Sequence, residues 1–113
     1  MRTNFQMENQ NITFVKGDTL SFNAEVYFDD GSPVTIDSAF FTCKKRPASE
    51  DIVFQKSMEN GITQENNLIT VRIAPEDTIE ADAGQYFYDF QIGVGDDVFT
   101  IMIGMLSLEQ NVT

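Results

Sequence analysis

The chain contains no histidine and no tryptophan, one cysteine, and only seven lysines and arginines among 113 residues. Each shortage closes a class of function. Without histidine there is no Ser-His-Asp or Cys-His arrangement, the usual general base is missing, and the commonest ligand for zinc or copper is absent. A single cysteine, Cys43, forms no internal disulfide and suits a chain folded in a reducing cytoplasm. It alternates with Ala39 and Phe41, which reads as a buried, inert thiol. Eighteen acids against seven bases give a net charge of −11, which repels phosphate backbones and anionic membrane surfaces, so neither nucleic acid nor membrane is an expected partner. No apolar run approaches the length that crosses a bilayer, and the first ten residues carry no hydrophobic signal region, so no secretory precursor is expected.

Ten phenylalanines stand out among the residues present, together with many Ile, Val and Thr, a composition that favours strands. Residues 1–10 lack periodicity and read as an N-terminal arm or a first edge strand; residues 11–113 read as one domain. Residues 11–15 form a short strand before the turn Lys16-Gly17-Asp18. Leu20, Phe22, Ala24, Val26 and Phe28 then alternate with Ser21, Asn23, Glu25 and Tyr27, the period of a half-buried strand. Turn chemistry at 29–33, a short extended piece at 34–36 and a strand at 39–44 follow. Residues 52–57 read as a strand of weak alternation, and 61–63 and 68–73 as a hairpin around Glu65-Asn66-Asn67. Pro75-Glu76-Asp77-Thr78 suits one helical turn crossing between sheets. Two long strands, 85–93 and 98–109, flank a tip at 93–97. The first buries Tyr86, Tyr88, Phe90 and Ile92. The second is expected to bury Ile101 and Ile103, then Leu106 and Leu108, with Gly104 marking a bulge or the close approach of a neighbouring backbone. The pattern is all-β, with about seven to eight strands in a sandwich or barrel.

The run Asp82-Ala83-Gly84-Gln85-Tyr86-Phe87-Tyr88 narrows that choice. It resembles the corner through which immunoglobulin-like antiparallel sandwiches enter strand F, where a tyrosine hydroxyl locks the turn to nearby backbone. The resemblance implies that Asp82, Gly84, Tyr86 and Tyr88 form a structural corner. It makes Tyr86 the locking residue and puts Tyr88 where a disulfide-bonded domain has cysteine. Such a sandwich is held by packing alone.

Four segments, in order, extend the resemblance: residues 12–22, Asp30-Gly31-Ser32-Pro33-Val34, residues 73–78 and residues 83–90. Together they resemble the small immunoglobulin-like domain at the N-terminus of tailed-phage baseplate upper proteins and in stand-alone phage and prophage proteins. Baseplate upper proteins continue from this domain into a linker and a trimeric stalk, which this chain lacks. The resemblance therefore implies a stand-alone, non-enzymatic virion component, made in the bacterial host cytoplasm. It would act in assembly at a baseplate, tail, neck or head surface, against other phage structural proteins and as a homo-oligomer in the particle. The alternative is a carbohydrate- or protein-binding sandwich, an adhesin or receptor-binding module, which the lack of tryptophan disfavours for sugars.

No catalytic, cofactor-binding or metal-binding residue is nominated. The acidic pairs Asp29-Asp30 and Asp96-Asp97 sit on hairpin tips without the spacing of a calcium loop, and the acids at 76, 77, 80 and 82 belong to the crossover turn. Lys44-Lys45-Arg46 reads as a solvated strand end, with contact to an acidic neighbour as the alternative. The interface candidates are the outward aromatics Tyr27, Phe40 and Phe87, which either meet another chain or lie under a loop or the N-terminal arm. The last strand and the opening segment are expected at sheet edges, where strand addition is possible.

Overall fold

Alternation in the sequence becomes two packed sheets in the computed structural model, which describes residues 8–28 and 30–112. The strands are β1 (Glu8–Asn9), β2 (Ile12–Val15), β3 (Leu20–Glu25), β4 (Ser38–Lys44), β5 (Ile52–Ser57), β6 (Ile62–Glu65), β7 (Leu68–Ile73), β8 (Gly84–Val94) and β9 (Asp97–Glu109), with one helical turn, α1 (Pro75–Thr78). The smaller sheet has the order β3-β7-β6. The larger runs β9-β8-β4-β5, with β1 and β2 placed one after the other along the outer side of β9. Among the described residues nine strands thus form the all-β sandwich. All pairings are antiparallel except those of β1 and β2, which run parallel to β9.

The strand order is that of an immunoglobulin domain. β3, β7 and β6 take positions B, E and D; β4, β8 and β9 take C, F and G; β5 takes C′. Position A, beside B, has no occupant among the described residues, because β1 and β2 lie on β9 instead.

The core forms where the inward positions of the two sheets meet. Tyr86, Tyr88, Phe90 and Ile92 of β8 are all buried, as are Ala39, Phe41 and Cys43 of β4 and Ile69, Val71 and Ile73 of β7. Phe41 occupies the strand-C position where antibody domains keep a buried tryptophan. Its ring stacks on Tyr88 at 5.0 Å between centroids, and Phe22 of β3 meets it edge-on at 5.6 Å. Phenylalanine and tyrosine therefore fill the space of a disulfide and its tryptophan. Each aromatic pair adds about 0.5–1.5 kcal/mol beyond area burial. Val34 and Ile36 are fully buried although they belong to no strand.

β9 differs from the expected pattern in two ways. Its phase changes at Ile101, not at Gly104. Phe90 faces Met102 while Gln91 faces Thr100, so Ile101 is an extra residue. This bulge lets the consecutive residues Ile101 and Met102 both turn inward and sends Ile103, expected in the core, outward at 39% exposure. Gly104 serves a close approach: a β-carbon there would overlap the Gln10 carbonyl oxygen. The missing side chain opens a slot between Tyr88 and β1, and the Tyr88 hydroxyl donates through it to the Gln10 carbonyl. The last strand is also not at an edge, since β8 lies on one side and β1 and β2 on the other.

Candidate functional site

The corner residues nominated from sequence lie at the entry to β8. The Tyr86 hydroxyl donates to the Asp82 carbonyl at 2.7 Å, and burial, together with the Asp82 charge, raises its pKa. Gly84 opens β8 at φ 151°, outside the range that side-chain-bearing residues favour. Tyr88 lies two residues on, buried under Phe41. Tyr86 and Tyr88 are buried, whereas Asp82 and Gly84 lie exposed at the surface.

Tyr27, Phe40 and Phe87 do not form one patch. Phe40 and Phe87 are on the outer face of the larger sheet, in rows separated by Thr42 and Asp89. Four residues of strand rise part the two rows, roughly 13 Å. Phe40 is 42% exposed, whereas Phe87 is half-buried in a hollow of about 130 Å³ shared with Thr42, Lys44, Pro47, Asp89 and Ile103. Burial raises the Asp89 pKa, and the nearby Lys44 charge partly opposes it. Tyr27 follows β3 of the other sheet, bridges to Pro33, and donates its hydroxyl to Glu25 Oε2 at 2.6 Å.

The remaining nominated groups have structural roles. Cys43 is fully buried, and burial pushes its thiol to about 12, so it is an inert core residue. Asp29 lies outside the described residues. Asp30 Oδ1 accepts the Ser32 N–H and hydroxyl, which lowers its pKa. Asp77 Oδ2 accepts the Ala74 N–H at 2.7 Å at the start of α1. Lys45 and Arg46 are exposed beyond the end of β4. Among the described residues no three metal-ligating side chains converge, and no helix is long and apolar enough to cross a membrane.

Two features were not nominated from sequence. The first is Lys56 on β5, whose register opposite Phe41 turns it inward until only 3% is exposed. Its ammonium donates to Asp77 Oδ2 at 2.8 Å and to Asn60 Oδ1 at 3.3 Å, joining β5 to α1. Lys56 is the penultimate residue of a strand of weak alternation, and its inward phase follows from the β5 register.

The second is a cleft of about 610 Å³ along the opposite flank, between β3 and residues 10–13. Leu20, Phe22 and Ala24 pack against the core yet are only partly buried, while their partners Ile73, Val71 and Ile69 on β7 are 0% exposed. The sandwich is therefore open here, with apolar side chains at the mouth of the cleft. The outer edge of β3 borders it. The Val26 N–H bonds the Asn67 carbonyl, which sets the phase of the β3–β7 ladder. In that phase residues 20, 22 and 24 bond inward to β7, and Ser21, Asn23 and Glu25 direct their backbone N–H and C=O groups away from the sheet. Among the described residues no strand accepts them.

The other edges are blunted. On β6 the Gln64 side chain bonds both backbone groups of Ile36, accepting its N–H at 2.7 Å and donating to its carbonyl at 3.2 Å. On β5 a bulge at Val53 breaks the register, and the following turn bridges Ser57 to Gly61. The edge made by β1 and β2 is short and interrupted at Gln10-Asn11.

No protein-family model matches the chain, and no curated protein matches it.

Proposed function

We propose that this protein is a non-enzymatic structural subunit of a tailed phage or prophage particle, placed in the virion by contacts with other virion proteins. The observation that carries the reading is the open flank, where among the described residues one strand edge is bare beside partly buried core residues while the other edges are blunted. A surface of this kind is completed by another chain. The ordered series of four motifs supports the phage assignment. The net charge of −11 suits a soluble subunit that meets proteins and not phosphate backbones. The symmetry of the particle would set the number of copies, each presenting the same flank to the same kind of neighbour.

The test is mass spectrometry of density-purified particles released from the strain that encodes the chain. The expected result is the chain at a fixed stoichiometry to a known structural protein, persisting through high-salt washing. Its absence from intact particles would overturn the assignment.

A further inference from the structure

The role proposed above leaves open what the open flank receives, and the edge chemistry narrows it. Position A of the immunoglobulin order lies beside B, and B is β3, whose outer edge is bare among the described residues. The cleft beside that edge is lined about equally by polar and apolar surface, its apolar part coming from Leu20, Phe22 and Ala24 on one wall and Ile12 and Ile101 on the other. Glu25 is the one charged side chain lining it among the described residues.

We propose that the flank takes up an extended segment of a partner protein as an added strand in position A. That segment carries apolar side chains at alternate positions and lysine or arginine between them. The period of two in a strand separates the two sets, so one set enters the cleft while the other faces solvent. The added strand pairs its backbone with the outward N–H and C=O groups of Ser21, Asn23 and Glu25. From residue 21 to residue 25 the edge spans roughly 13 Å, enough for a segment of about five residues. Charge selects the sequence. Two copies of this chain bring together two bodies of charge −11. A basic segment instead lowers that repulsion and places a cation near Glu25.

The experiment is an amide NMR titration of the full chain with a capped seven-residue peptide of alternating lysine and valine. Controls are a glutamate-valine peptide of the same length and a lysine-valine peptide N-methylated at alternate residues. The inference expects the Ser21, Asn23 and Glu25 amides to exchange rapidly in the free chain and to slow with the lysine-valine peptide. It expects no response to the N-methylated form and a weaker one to the glutamate form. Glu25→Lys should weaken lysine-valine binding by roughly two- to fivefold, the scale of a cross-strand charge pair. Ser21→Pro should abolish it while leaving the fold intact, because that N–H points away from β7.

No response to either charged peptide, equal affinity for both, or shifts confined to the outer face around Phe40 would overturn the inference. So would slow exchange at these three amides in the free chain. Concentration-dependent protection would assign the edge to a second copy. Concentration-independent protection lost on deleting residues 1–7 would assign it to the chain's own N-terminus. A chain found in purified particles but silent to the peptides would refute the strand-addition mode and leave the virion role standing. A chain that binds the peptide but is missing from particles would do the reverse.

Discussion

Where β5 meets β6, side chains reach across the sandwich and close it. Lys56 crosses to Asp77, the turn after β5 bridges Ser57 to Gly61, and Gln64 holds the backbone of Ile36. Where β3 faces β2, no hydrogen bond or ion pair joins the two strands among the described residues, and a cleft remains beside the partly buried Leu20, Phe22 and Ala24. Both flanks draw on ordinary strand sequences. The difference is that position A has no strand among the described residues, whereas the other flank has one buried ion pair.

This contrast can be broken at the sealed side first. Asp77→Ala leaves the Lys56 ammonium buried without its counter-charge and should cost about 3–5 kcal/mol in urea unfolding. The double variant Lys56→Met with Asp77→Leu should recover most of that loss, since an apolar pair of similar volume is often neutral or stabilising. A single variant with wild-type stability would show that the ion pair does not close the flank.

The aromatic core gives a graded comparison. Tyr88→Ala removes a ring buried against Phe41 and should cost about 3–5 kcal/mol. Phe22→Ala, on the open side, should cost less, about 2 kcal/mol, because its ring touches Phe41 and Phe90 but is only partly buried. Equal losses in the two melting curves would mean that the open flank is as well buried as the rest.

The smallest change sharpens the account of the N-terminal edge. Tyr88→Phe keeps the ring and deletes only the hydroxyl that reaches Gln10, an effect of about 1 kcal/mol. Exchange should quicken at the Gln10 amide, which bonds the Ile103 carbonyl, with little change on β7. A uniform change across both sheets would contradict a local tie.

Much of the fold was legible because it rests on local alternation. The inward faces of β3 and β8, the hairpin of β6 and β7, and the helical turn at Pro75 follow from residue period and turn chemistry. The corner at Tyr86 was legible for the same reason, since its hydrogen bond spans only four residues. What could not be read depends on distant partners. The parallel pairing of β1 and β2 with β9 joins the two ends of the chain, and no local pattern encodes it. The bulge at Ile101 is hidden because three apolar residues in a row, Ile101, Met102 and Ile103, fit either phase. The cleft was invisible for a related reason. Strict alternation marks Leu20, Phe22 and Ala24 as inward-facing, but only the sheet order reveals that no strand among the described residues covers their edge.

The most direct measurement of the central claim is residue-resolved amide exchange along β3 in the free chain. The account predicts an alternating record, with Ser21, Asn23 and Glu25 fast and Leu20, Phe22 and Ala24 slow. Uniformly slow exchange from 20 to 25 would contradict it, because the flank assigned to a partner would already be filled.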